Sequence, residues 1–478
     1  MKKLMGVMAV LLCFIWVSAA TSTDRPGDET ITSWVKESLR EDPRIDASRI
    51  HVATDAGIVH LTGEVPDLSS KKYAERETEK ISGVRGVIDE MVVYVPYRSD
   101  TDIEQDLRRA FLNSADLALR SVEVKVRDGR VSLAGGVQSF AEKTEAELIA
   151  TELKGVRSVE NEIIVANRLI RSDQEIRQDI IDAIGRDVYL LDLLIDAQVD
   201  HGVVTLTGNV DTPYQKERAE EDCLSVANVK EVRNELSVGV PETVEVHRKS
   251  PTPSSSELEK NVYAELYQDL RLIDPFGIQV KAASGRVTLS GTVPSYYQKR
   301  LAAGDAHEVI GVVEVTNLIS VDTAWREDEK TRDDVEFALD TDATLSGSDI
   351  QVLVKNGTVT LDGNVNTPYE RDHATEVASR ILGVRDVINS IHVNRFHKHS
   401  DAGLKKRIET RLTADGETRR IADHILVSVD EGIVTLSGEV DTWSEYKEAA
   451  RTASLTDGVW EVVNRLRVSG ASYPWDSD

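Results

Sequence analysis

A nine-residue pattern, G-x-V-x-L-x-G-x-V, occurs six times along this 478-residue chain and commits it to a fold built from repeated units. The leading glycines are Gly57, Gly129, Gly202, Gly285, Gly357 and Gly432, and the second glycines are Gly63, Gly135, Gly208, Gly291, Gly363 and Gly438. Between them valine and leucine alternate with other residues, as in Val59 and Leu61 or Val434 and Leu436, which is the period of a half-buried strand. A second alternating run lies just upstream, such as Val122, Val124 and Val126, and joins the first through Asp128 and Gly129. Dipeptides of this kind accept positive φ, so each copy predicts a tight hairpin.

Four residues past each second glycine stands Asp67, Ser139, Thr212, Ser295, Thr367 or Thr442. Their side-chain oxygens suit a helix N-cap, and Glu142, Gln215, Gln298, Glu370 and Glu445 complete a capping box in five copies. Pro213 and Pro368 fall at the first helical position, where a missing N–H is harmless. The helix is expected to stop at Gly83, Gly155, Gly311, Gly383 and Gly458, with Asn228 in that place in the third copy. A third strand follows, as in Val384, Val387, Asn389, Ile391 and Val393. Ahead of each hairpin apolar residues recur at i, i+4 and i+8, for example Ile31, Val35, Leu39 and Leu404, Ile408, Leu412, the stripe of an amphipathic helix. Only the fifth copy is irregular, with Thr331 before Val335 and Leu339. The fold class read from this order is α+β: a tandem array of six α-β-β-α-β units, each a three-stranded mixed sheet with two helices on one face.

The leading glycines are 72, 73, 83, 72 and 75 residues apart, so one junction is about ten residues longer than its neighbours. The stretch 241–256 accounts for it, with Pro241, Pro251, Pro253 and the run Ser254, Ser255, Ser256 reading as a helix-free linker between two groups of three. The units are expected at 28–95, 100–167, 171–240, 257–323, 327–395 and 399–469. A unit of about 70 residues buries only about 60% of its unfolded surface, so contacts between neighbours are expected to contribute. Residues 1–23 read as a secretory signal peptide: Lys2 and Lys3 precede the apolar run Leu4 to Val17, and Val17, Ser18 and Ala19 offer a cleavage site. Cys223 is then the one cysteine of the mature chain, so packing rather than an internal disulfide must stabilise it.

The glycine-bracketed strand, the capped helix, the terminal strand with its asparagine and the export signal together resemble the BON domain. This bacterial module is named for osmotically induced periplasmic proteins and nodulation proteins. Asp89 replaces the strand asparagine in the first copy, and Asn228 the cap glycine in the third. The resemblance implies a non-enzymatic periplasmic protein that helps the envelope withstand osmotic stress, through phospholipid surfaces or partner proteins. It carries over no catalytic residue, cofactor or metal.

The residues themselves point the same way. Lys and Arg total 57 against 83 Asp and Glu, a formal charge of −26, which argues against nucleic acid and against broad attraction to anionic lipid. There is no P-loop or G-x-S-x-G motif. The twelve motif glycines are explained by turn geometry. The asparagines Asn161, Asn234, Asn317, Asn389 and Asn464 are expected to satisfy backbone groups. His392, His397 and His399 read as a solvated linker, because no carboxylate or cysteine completes a known metal spacing. The aromatic residues at helix starts, Phe140, Tyr214, Tyr296, Tyr297, Tyr369 and Trp443, read as packing residues. The densest basic cluster, Lys405, Lys406, Arg407 and Arg411 around Leu404, Ile408 and Leu412, is the candidate lipid-contact helix. Two functions remain: a membrane-surface adaptor, and a multivalent protein-binding or chaperone-like array.

Overall fold

A computed structural model describes residues 25–166, 171–191, 193–239, 253–269, 271–272, 275–323, 325–394, 399–469 and 471. The expected signal peptide and most of the 241–256 stretch lie outside them. In the first unit β1 (Ile50–Asp55) and β2 (Ile58–Val65) form an antiparallel hairpin with Val52 opposite Leu61, and β3 (Gly86–Val93) lies parallel to β2 with Val59 opposite Val87. The other five units repeat this order, with the third strand interrupted after Asn161 and Asn234.

Each hairpin is preceded by one helix: α1 (Asp28–Glu41), α3 (Asp100–Asn113), α5 (Asp173–Arg186), α7 (Ser255–Gln268), α9 (Asp328–Thr341) and α11 (Asp401–Ala414). Each is followed by a second: α2 (Leu68–Glu79), α4 (Phe140–Glu152), α6 (Pro213–Ser225), α8 (Tyr296–Glu308), α10 (Pro368–Ser379) and α12 (Trp443–Ser454). Both helices pack on one face of the sheet. In the first unit Ile31, Val35 and Leu39 meet Val59, Leu61, Ala74 and Met91 in a core from which water is excluded.

All six second helices carry the expected N-cap, whose side chain accepts from the N3 amide. The reciprocal box closes in α4 and α12, whereas Gln215 and Glu370 accept from the residue before the cap, Asp211 and Asn366. Two expectations need correction. The stretch 241–256 is not helix-free at its end: Ser254 caps α7 through a full box with Glu257, so Ser255 and Ser256 are helical. Serine before an i+3 glutamate is a cap signal there, not a linker signal. The second helices also stop three or four residues before the left-handed residues Gly83, Gly155, Asn228, Gly311, Gly383 and Gly458, whose φ runs from 73° to 96°. In four units a residue between helix and glycine, Ile81, Leu153, Val309 or Ile381, pairs with another unit.

These meetings set the assembly. Ile81 bridges to Asp415, Leu153 to Asp342, Ser114 to Ile381 and Asp187 to Val309, each as an isolated antiparallel pair. The first unit therefore pairs with the sixth, the second with the fifth and the third with the fourth. In the second and fifth units the relation is reciprocal, because the end of each unit's first helix meets the end of the other's second. The bonds are Ala115 N–H to Arg380 O, Leu382 N–H to Asn113 O, Lys154 N–H to Thr341 O and Ala343 N–H to Glu152 O, all 2.7–2.8 Å. Between first and sixth, Ser82 donates to Ala414, Gly416 to Lys80 and Asp457 to Glu41, each at 2.9 Å. Helices α2, α4 and α6 touch one another, as do α8 and α10. The chain thus folds back on itself, units 1–3 against units 4–6. The expectation of two separate groups of three gives way to one interlocked body, because the repeat pattern records contacts within a unit and is silent on contacts between them.

Candidate functional site

The motif glycines answer to backbone geometry. At the first hairpin Ala56 and Gly57 have φ of 48° and 81°, a turn whose twist matches the strands. Gly63 has φ 113°, and a Cβ there would lie 2.0 Å from the Arg49 carbonyl oxygen. The other ten motif glycines also have positive φ. The turn is held by a residue the sequence analysis overlooked. The Asp28 carboxylate accepts from Ala56 N–H at 2.8 Å and Gly57 N–H at 3.0 Å, and Asp100, Asp173, Asp328 and Asp401 do the same in their units. Its signal was present: four of these aspartates stand 29 residues before the leading glycine.

The strand asparagines bind backbone. Asn389 Nδ2 donates to Arg371 O at 2.6 Å and to Thr375 Oγ1 at 2.7 Å, while its Oδ1 accepts from Ile391 N–H at 3.0 Å. Asn161, Asn234, Asn317 and Asn464 likewise tie the second helix to the third strand. Asp89 has no side-chain N–H to give; its carboxylate still accepts from Met91 N–H at 2.9 Å and lies 3.5 Å from Lys71 Nζ, which donates to Met91 O at 2.6 Å as Lys216 does to Leu236 O in the third unit.

The basic helix is divided by the assembly. Lys405 and Lys406 are exposed, but Arg411 is buried and donates to Leu455 O at 2.6 Å and to Thr456 Oγ1 at 3.0 Å. Arg407 is mostly covered, against Glu41 of the first unit. The expected four-residue lipid-contact patch is therefore reduced to two residues, because Arg407 packs against Glu41 of α1 and Arg411 against the end of the sixth unit's own second helix. His399 faces Asp457 at 3.5 Å, His392 is exposed and His397 lies outside the described residues. Tyr214, Tyr297 and Trp443 are buried; Phe140, Tyr296 and Tyr369 are half-buried. Tyr369 reaches another unit, its hydroxyl 2.9 Å from that of Tyr73. Cys223 is buried in the third unit's core, and burial pushes its thiol up, away from the reactive thiolate.

Buried charge concentrates where units meet. Between the second and fifth units Arg380, 7% exposed, lies 3.1 Å from Glu145, 2.5 Å from Glu152 and 2.7 Å from Glu376. Beside it His373 Nε2 is 2.9 Å from Asp342 Oδ2. Burial by itself would lower this imidazole, but Asp342 outweighs that and raises it to about 10. Glu152, Asp342 and His373 offer atoms within 4.8 Å of one another, the donor types of a metal centre. Arg380 already neutralises Glu152 and Asp342 already holds the imidazole, so the arrangement is an ion-pair network. Between the first and sixth units Arg44 reaches Asp42 at 2.6 Å and Glu77 at 2.9 Å, Lys80 reaches Glu448 at 3.1 Å, and Arg451 joins Glu77 to Glu448. Between the third and fourth Arg186 meets Glu265 at 2.9 Å. An aspartate just past the first helix recurs in five units as Asp42, Asp187, Asp269, Asp342 and Asp415. Four of them hold Arg44, Arg218, Arg271 and His373.

Comparison with known proteins agrees with this architecture. The BON domain family profile matches residues 27–94, 99–167, 172–240, 254–323, 327–395 and 400–470. The chain is 32% identical over 143 residues to osmotically-inducible protein Y of Escherichia coli K12, covering 28% of this chain and 71% of that protein. It is 31% identical over 136 residues to the outer membrane lipoprotein DolP of Haemophilus influenzae, covering 27% and 70%, and 29% identical over 140 residues to a 21 kDa hemolysin of Actinobacillus pleuropneumoniae, covering 28% and 72%. With six profile matches spread over most of its length, the chain belongs to the BON domain family.

Proposed function

We propose that this chain is a non-enzymatic envelope protein, exported to the periplasm, that holds other envelope proteins through several weak sites at once. The names of its relatives, an osmotically inducible protein and an outer membrane lipoprotein, support the compartment and the stress role. The reading of residues 1–23 as an export signal supports it independently. One observation carries the choice of protein over lipid as partner. The helices cover one face of each sheet, and the other face shows apolar side chains to solvent: Ile88 and Val92 in the first unit, Leu318 in the fourth, Leu353 and Ile388 in the fifth, Leu426 and Ile433 in the sixth. Single exposed apolar residues bind little, but rigidly tethered copies raise one another's effective concentration.

The phospholipid reading keeps Lys405 and Lys406. At ~1 kcal/mol per charge near an anionic surface, two lysines hold a chain of net charge −26 weakly. Crosslinking in intact cells followed by fractionation tests the choice. Adducts on envelope proteins that disappear in Leu353→Glu/Ile388→Glu support the array. Adducts confined to lipid, with flotation on anionic vesicles abolished by Lys405→Glu/Lys406→Glu, overturn it in favour of the membrane adaptor.

A further inference from the structure

A cleft of about 970 Å³ lies between the second, third and fourth units. It occupies the place where the third and fourth units would close their second junction. In the second and fifth units that junction joins Leu153 to Asp342 through two backbone bonds. In the third and fourth units the corresponding residues, Val226 and Gln268 among them, line the cleft wall instead. The volume is that of a small-ligand site and not of a packing defect.

The lining narrows the ligand. Tyr267 and Phe276 stand on one lip, 55% and 67% exposed, with ring centroids 5.3 Å apart and an interplanar angle of 64°. Tyr297 lies at the floor, and its buried hydroxyl has no hydrogen-bond partner among the described residues. Gln138 and Gln268 add planar polar groups to the walls. Three arginines also line the cleft, but each is already paired: Arg171 with Asp179 at 2.5 Å, Arg186 with Glu265 at 2.9 Å and Arg271 with Asp269 at 2.7 Å. Among the described residues no uncompensated cation is left in the lining for a phosphate or carboxylate. Of the large apolar side chains in the lining, Val226, Leu272 and Tyr297 are buried and Tyr267 and Phe276 exposed, too little for an acyl chain, and the walls are mostly helix faces and helix ends, which offer no strand edge to an extended peptide.

We propose that this cleft binds a neutral, hydroxyl-rich glycan chain, with the apolar face of a sugar ring against Tyr267 and Phe276 and its hydroxyls on the amides and the Tyr297 phenol. Aromatic faces pack well against such C–H surfaces, while planar amides donate and accept at once. The inference is independent of the protein-holding role proposed above, since it uses a different surface.

Titration calorimetry of the full-length protein with β-1,4-linked hexamers of glucose and of N-acetylglucosamine tests it. Saturable binding of at least one hexamer is expected. Tyr267→Ala/Phe276→Ala should weaken it at least about tenfold, which is ~1.4 kcal/mol. Tyr297→Phe should weaken it with the melting temperature unchanged, whereas Trp325→Ala, an exposed aromatic outside the cleft, should leave it as it was. The lip pair is solvent-exposed, so its removal leaves the fold intact; if melting does shift, the Tyr297→Phe comparison decides. Absence of binding by both hexamers at millimolar concentration overturns the proposal, and so does binding that survives both the lip and the floor substitutions.

Discussion

Arg380 is the hub of the junction between the second and fifth units, and its removal tests whether that junction is an energetic feature of the fold. Arg380→Ala takes the guanidinium away from Glu145 and Glu152, both under 10% exposed, and from Glu376, and leaves His373 as the remaining cation beside Glu152 and Glu376. Breaking a buried pair by deleting one member costs about 3–5 kcal/mol, most of it the penalty of the orphaned charge. Burial already pushes Glu152 above the usual carboxylate range against the pull of Arg380. Without Arg380 the Glu152 carboxyl binds its proton more tightly folded than unfolded, so the loss should be largest at pH 7 and shrink toward pH 5. Urea unfolding followed by far-UV circular dichroism at both pH values measures it. The exposed pair Arg286 and Glu314, 53% and 55% accessible, is the reference, and Arg286→Ala should cost 1 kcal/mol or less, roughly the ceiling for surface pairs. Arg380→Met combined with Glu145→Gln and Glu152→Gln should recover most of the stability. An Arg380→Ala loss below about 1 kcal/mol at pH 7, or one that does not depend on pH, refutes the reasoning.

Other outcomes follow from the same geometry. Asn389→Ala removes two donated bonds and one accepted bond and should cost ~1–3 kcal/mol in thermal unfolding, and Asn317→Ala should behave alike. Asp89→Ala should be milder than either, since Lys71 keeps its bond to Met91 O. Stability should be greatest in mildly acidic solution. His373, raised to about 10, contributes fully below the ordinary histidine range and loses that contribution as pH climbs toward 10, whereas Glu77 and Glu376, held low by Arg451 and Arg380 against the opposing effect of burial, lose theirs as pH falls below the ordinary carboxylate range. His373→Gln should flatten the alkaline limb and leave the share of the acid limb that Glu77 supplies in place. Arg411→Glu should lower the melting temperature by breaking its buried bonds to Leu455 O and Thr456 Oγ1 within the sixth unit, while Lys405→Glu/Lys406→Glu should change stability by only about 0.5 kcal/mol.

The unit was legible in the sequence because its determinants are local. Gly57 and Gly63, the cap at Ser139 and the stripe Ile31, Val35, Leu39 each act within a few residues or within one period of a regular element. Asn389 was read correctly as a backbone partner for the same reason, its amide meeting a carbonyl 18 residues away in the same unit. The junctions were not legible. Lys80 and Glu448 are 368 residues apart, and no periodicity within a repeat links them. The basic helix misled for a related reason: one-dimensional charge density cannot distinguish Lys405, which faces water, from Arg411, which faces Leu455. The recurring aspartates at Asp28 and Asp342 lay within reach of the reading, since four of the first set stand 29 residues and three of the second 15 residues before the leading glycine, but an acidic residue in an acidic chain passes for solubilising surface.

The pairing of the first unit with the sixth and the second with the fifth is the claim on which the rest depends. Ser82, Gly416, Ala115, Leu382, Lys154 and Ala343 each donate a backbone hydrogen bond across a junction to another unit. Hydrogen exchange of these six amides in the full chain, resolved by fragmentation mass spectrometry, therefore reports the junctions directly. The account predicts protection at all six comparable to that of the sheet amides. Exchange at free-peptide rates at these positions, with the strands of every unit still protected, would contradict it and leave six folded units that do not close on one another.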